Sequence, residues 1–227
     1  MAGASCPRSG TSRRWSEVAP QAETTRVAIL LFEGCDLLDS GGPYEVFLTA
    51  SRLAERDGQP RPFEVDMVTI DGEPVRAYGG LGLVPTAGPP ALGESDLIIV
   101  PGTIDLKAPL GDDALLSTIT TAAARAEVTV ASVCTGAFLL GSVGLLEGRR
   151  WTTHWEDIEA LGEQIGSDGA TTGVRWVDSG AVVTGGALAS GIALSLYLVE
   201  RFAGEALAQR TTRQLDYAWD NESVVIE

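Results

Sequence analysis

The sequence predicts an α/β fold, a single doubly wound, mostly parallel sheet with helices on both faces (flavodoxin-like). Three observations carry this expectation. Apolar, β-branched runs recur at residues 26–32, 63–70, 96–100 and 128–133, and the first shows no polar alternation, as suits a strand buried on both faces. Segments of helical pattern separate most of these runs, and strands that alternate with helices join into parallel sheets. No repeat or linker interrupts residues 26–220 of the 227, so the folded part reads as one domain.

Taken in order, residues 1–25 are rich in Ser, Ala, Gly, Arg and Pro and lack the apolar core of a signal peptide. They read as a flexible extension ahead of a domain spanning 26–227. Residues 26–32 form the first strand. Gly41, Gly42 and Pro43 then break the chain, with Pro43 suited to the first position of a helix running to Arg56. The second strand covers 63–70 and ends in the Asp71–Gly72 turn, and extended pieces within 75–85 suggest a hairpin at the sheet edge. A third, central strand at 96–100 stops at Pro101, Gly102 and Thr103. Residues 112–126 read as a surface helix, and 128–133 as the strand that delivers Cys134. A hairpin signal at Asp178, Ser179 and Gly180 lies between strands 174–177 and 181–184. Helical segments at 188–202 and 204–219 close the fold.

Composition narrows the function classes. Sixteen basic against 31 acidic residues give a net charge of −15, which repels a phosphate backbone and argues against nucleic-acid binding. No apolar run approaches the roughly 20 residues of a membrane span, so the chain is expected to be cytoplasmic with no membrane partner. Cys6, Cys35 and Cys134 are widely spaced and form no disulfide framework. With His154 as the one histidine, a multi-histidine metal site is excluded.

Cys134 sits where a β-branched strand passes directly into the apolar helical pattern that follows Thr135 and Gly136. That is the arrangement of a nucleophile elbow, with the sulfur at a helix N-terminus where unpaired N–H groups favour the thiolate. A small core thiol at a strand end is the competing interpretation. In parallel sheets, ligands bind beyond the carboxyl ends of the strands. That edge receives Asp36 and Asp39 after the first strand, Gly102 and Thr103 after the third, and Cys134 and Thr135 after the fourth. Alone, Asp39 reads as a helix cap or loop carboxylate and Gly102 as a turn glycine; their shared edge makes them site candidates.

The residues from Val27 to Phe32, Leu38-Asp39, Gly42-Pro43-Tyr44-Glu45-Val46-Phe47, Pro101-Gly102 and Cys134-Thr135-Gly136-Ala137-Phe138 together resemble the DJ-1/PfpI superfamily. Within it the chain looks like the isonitrile hydratase branch, and Gly144 through Trp155 and Val183 through Ala193 continue the similarity. The resemblance covers about residues 26–219.

It implies Cys134 as nucleophile, Asp39 as its acid partner, and Thr135 with its hydroxyl or N–H beside the reacting carbon. Gly102 and Thr103 would complete an anion pocket, although Thr103 stands where many relatives have a second glycine. Trp151 is a further departure, readable as packing. His154 follows Cys134 by the 20 residues that place a histidine near the cysteine in several members, and it reads either as a participant or as a loop residue. Asp216 matches an acidic position of the last helix, and Cys35 leaves room for a supporting role.

The implied reaction hydrates an isonitrile to an N-substituted formamide through a cysteine thioimidate. Protonated Asp39 would assist, with no metal or organic cofactor. The alternatives are a glyoxalase-like or amidase enzyme using the same cysteine, and a small-molecule-sensing domain related to transcription regulators. The end of the chain at Glu227 leaves little sequence for a helix-turn-helix. A homodimer is also implied, through residues 39–47, with Val46, Phe47 and Leu48 as apolar material for its interface.

Overall fold

The computed structural model describes residues 24–219 and 224–225. The expected extension lies outside them up to residue 23, and Cys6 with it. Strand β1 (Thr25–Leu30) leads to helix α1 (Leu37–Arg56), then β2 (Phe63–Val68). A small hairpin follows, β3 (Val75–Arg76) and β4 (Gly82–Leu83), and then α2 (Pro90–Glu94) and β5 (Leu97–Val100). Next come α3 (Lys107–Leu110), α4 (Asp113–Ala123), β6 (Thr129–Ser132), α5 (Gly136–Ser142) and α6 (Ile158–Ile165). The chain finishes with β7 (Trp176–Asp178), β8 (Val182–Gly185), α7 (Ser190–Ala203), α8 (Glu205–Gln214) and β9 (Val224–Val225).

The main sheet has the order β2-β1-β5-β6-β8-β7-β9. All neighbours pair in parallel except β7 with β8, the hairpin expected around Ser179. The fold class is therefore the one the sequence predicted.

The strands are apolar on both faces because helices cover both. With a side-chain period of two, Val27 and Ile29 of β1 and Leu97 and Ile99 of β5 join one core, under α1, α7 and α8. Ala28, Leu30, Ile98 and Val100 join the other, under α4, α5 and α6. Trp151, fully buried in that second core, is packing.

Three expectations need correction. Helix α1 begins at Leu37, not at Pro43, and Pro43 lies inside it. Proline has no N–H to bond the carbonyl four residues back, here that of Asp39, but the flanking helix is anchored by burial of Val46, Phe47, Ala50 and Leu53. The early start places Asp39 in the first helical turn. The hairpin at 75–85 does not join the main sheet, since Arg76 carbonyl and Tyr78 N–H are taken by Gly34 N–H and the Cys35 carbonyl. It pins the β1–α1 loop instead. Val46 and Phe47 offer nothing to a partner: both are buried, Phe47 against Phe63 with ring centroids 4.9 Å apart, and Leu48 is half-buried against the same core.

Candidate active site

Cys134 lies two residues beyond β6 with φ 55°, one of two non-glycine residues in the left-handed region among those described. Such a conformation costs about 1–3 kcal/mol and persists where the surroundings hold it. Here they do. Its N–H donates to the Gly186 carbonyl at 2.7 Å, and its carbonyl accepts from Thr153 Oγ1 at 2.9 Å. Helix α5 then starts against the end of β5. A Cβ at Gly136 would run into the Val100 carbonyl and lie 2.8 Å from the Pro101 carbonyl, so only glycine fits. Thr153 is a residue the sequence did not single out; a buried threonine beside a histidine carries no signal of its own.

The three loops at the sheet edge meet. Gly102 N–H donates to Asp39 Oδ2 at 2.9 Å. Thr103 N–H donates to Thr135 Oγ1 at 2.8 Å, and that hydroxyl donates onward to the Thr103 carbonyl at 2.7 Å. A Cβ at Gly102 would sit 2.6 Å from Thr135 Oγ1 and 2.8 Å from Asp39 Oδ2, so this loop can approach only as glycine. One carboxylate oxygen of Asp36, one of Asp39 and Cys134 Sγ lie within 4.8 Å of one another. Asp39 has no exposed surface, and its Oδ1 is buried with no hydrogen-bond partner among the described residues.

These contacts revise four expectations. The Thr135 hydroxyl is spent on locking the 101–103 loop, so it positions and does not reach toward a reacting carbon. The N–H groups of Gly102 and Thr103 are both bonded already, so they do not form an anion pocket. The thiolate expectation also fails. Burial pushes the Cys134 thiol up to about 12, helped by the charge of Asp39, against a backbone N–H bond from Thr135. The N-terminus of α5, typically worth about 0.3–1 kcal/mol to an adjacent negative charge, does not outweigh that. Finally, His154 turns Nδ1 to its own loop, accepting from Glu156 N–H at 3.4 Å and lying 3.5 Å from the Asp157 carboxylate.

Burial lifts Asp39 to about 7, with the Gly102 N–H bond opposing and the charge of Asp36 assisting. Asp39 also needs no partner chain to keep water away. Cys35 is fully buried, bridged to Thr103 and bonded to the hairpin, which is a structural place. Asp216 is exposed just beyond α8 with φ 51°.

Asp36, Asp39 and Cys134 have the spacing of a three-ligand cation site. Ligands must shed their protons to hold a metal, and burial of this acid and thiol opposes that. The donor set suits proton transfer better than cation binding.

Known proteins agree with this architecture. The isonitrile hydratase of Pseudomonas putida is 34% identical over 196 residues, covering 85% of this chain and 78% of that protein. The HTH-type transcriptional regulator GbdR of Pseudomonas aeruginosa is 25% identical over 201 residues, 88% of this chain and 53% of the regulator. Among solved structures, a THiJ/PfpI family protein from Pseudomonas syringae superposes with a TM-score of 0.73 at 25% identity, covering 96% of this chain and 84% of that one. Among the described residues no helix is long and apolar enough to cross a membrane. The DJ-1/PfpI family model matches residues 25–201. By that match and by its fold, the chain belongs to the DJ-1/PfpI family.

Proposed function

We propose that the protein hydrates isonitriles to N-substituted formamides. The observation that carries this is the buried Cys134 sulfur within 4.8 Å of a carboxylate oxygen of Asp39, whose Oδ1 has no hydrogen-bond partner among the described residues. Isonitrile carbon accepts a nucleophile and a proton at the same atom. Asp39 gives its proton to that carbon while sulfur forms the C–S bond, and the thiol proton passes to Asp39. The sum is addition of S–H across one carbon, and no thiolate has to exist beforehand. Water then adds to the resulting thioimidate, and expulsion of sulfur gives the formamide.

An amidase or peptidase makes different demands. Its tetrahedral intermediate carries an oxyanion, which needs preorganised free donors. The N–H groups of Gly102 and Thr103 are occupied by Asp39 and Thr135. A neutral thioimidate path does not call on them.

A sensing domain is the second reading, favoured by the similarity to GbdR over 201 residues. A substrate panel separates these. Purified protein should convert a small alkyl isonitrile to its formamide with far higher kcat/KM than it shows for methylglyoxal or a simple amide. Tight isonitrile binding without product would instead favour a sensor, and preferential consumption of methylglyoxal would favour a glyoxalase-like enzyme.

We also propose a homodimer. With Val46 and Phe47 committed to the core, the apolar material lies at Leu37 and Leu38, 45% and 41% exposed at the start of α1. Leu38 borders a groove of about 280 Å³ that also meets Ile192, Leu215 and Tyr217. A stable twofold contact would bury about 1,200–2,000 Å². Sedimentation at micromolar concentration should give a dimer that Leu38→Glu dissociates; a wild-type monomer would refute it.

A further inference from the structure

Asp36 is a buried carboxylate that the reaction as written leaves idle. It occupies the N-cap of α1, with φ −73° and ψ 129°, yet its side chain makes no capping hydrogen bond. An aspartate there ordinarily accepts from an N–H of the first helical turn. This one is only 6% exposed, and its Oδ2 is buried without a hydrogen-bond partner among the described residues. Backbone contacts fix it in place. Its N–H donates to the Gly102 carbonyl at 2.8 Å, and its own carbonyl accepts from Ser40 Oγ at 3.1 Å. The carboxylate is thus held within 4.8 Å of both Cys134 Sγ and an Asp39 oxygen by groups that leave it free to act.

We propose that Asp36 is the general base of the second half-reaction, taking a proton from the water that attacks the Cys134 thioimidate. This rests on isonitrile hydration as the function. The two carboxyl groups are set apart by their surroundings, which is how one site obtains both an acid and a base. Asp39 is wholly enclosed. Asp36 retains some exposure, and burial raises it above the ordinary carboxylate range with His154 nearby opposing the rise.

The step balances. Water oxygen forms the C–O bond as its proton goes to Asp36, and the C=N electron pair takes the proton of Asp39 at nitrogen. The C–S bond then breaks as C=O forms. The hydroxyl proton passes to Asp39, the sulfur takes the proton held by Asp36, and all three groups return to their starting states.

Rapid-quench kinetics with a small alkyl isonitrile, read by mass spectrometry of the Cys134 peptide, tests this. Asn and Ser both cap helices, so Asp36→Asn and Asp36→Ser should fold; if one does not, the other carries the test. Each should lose kcat by roughly 10²–10⁴-fold. Each should also show a burst in which Cys134 gains one whole isonitrile per chain, while Asp36→Glu regains part of the rate. Wild-type kcat in the variants would overturn the assignment. So would a loss of rate without the adduct in folded protein, since a merely structural role predicts no stalled thioimidate. If the wild type itself yields no formamide, isonitrile hydration is excluded and the role of Asp36 with it; formamide from the wild type without an adduct in the variants sinks the Asp36 assignment alone.

Discussion

Cys134→Ala should abolish formamide formation, lowering kcat by roughly 10³-fold or more, the scale on which loss of a covalent nucleophile is felt. The fold should survive. The left-handed backbone at residue 134 is held through its own N–H, which donates to the Gly186 carbonyl, and its carbonyl, which accepts from the Thr153 hydroxyl, and an alanine leaves both bonds intact. Steady-state assays beside a thermal melt would separate chemistry from folding. Substantial turnover in a folded Cys134→Ala protein would remove the sulfur from the mechanism.

Asp39→Asn should lower kcat by roughly 10²–10⁴-fold, the usual contribution of a positioned acid. Asparagine still accepts from Gly102 N–H but has no acidic proton to deliver. The wild type should show a matching pH dependence. With Asp39 titrating at about 7, the protonated form dominates below that value, so kcat/KM should hold on the acid side and decline about tenfold per unit above it. No second change is expected where ordinary thiols ionise, because burial holds Cys134 well above that range.

The same shift fixes the sign of a stability effect. Asp39 binds its proton more tightly folded than unfolded, so its contribution is most favourable at acid pH and is lost as pH rises through about 7. Asp39→Asn should therefore melt at a higher temperature than wild type at pH 8 while being nearly inactive. An Asn variant with wild-type kcat at every pH would reduce Asp39 to a hydrogen-bond acceptor.

Much of this was legible in the sequence. The apolar runs and their order announce a parallel sheet, and the rule that ligands gather beyond strand ends brought Asp39, Gly102 and Cys134 to one edge. The start of α1 was hidden because Gly41, Gly42 and Pro43 look like a break. Burial of the face carrying Val46 and Phe47 keeps the helix continuous through them, and the same burial removes those side chains from any interface. Helix α6 went unread, being eight residues long within a loop-like stretch.

The state of the site was less legible still. Whether Cys134 is a thiolate depends first on how deeply the fold buries it and then on carboxylates distant in the chain, neither of which its own segment reveals. The fate of the Gly102 and Thr103 N–H groups turns on where two side-chain oxygens come to rest, which spacing cannot fix. Asp36 resembles any helix cap until its carboxyl is found to make no capping hydrogen bond.

The most direct test of the central claim is the mass gained by Cys134 in wild-type protein quenched during turnover. Addition across an isonitrile carbon has no leaving group, so the Cys134 peptide should gain the whole mass of the substrate, Cys35 should gain nothing, and the adduct should decay as formamide appears. An unmodified Cys134 during active turnover would contradict covalent catalysis by this sulfur, and so would an adduct that never decays.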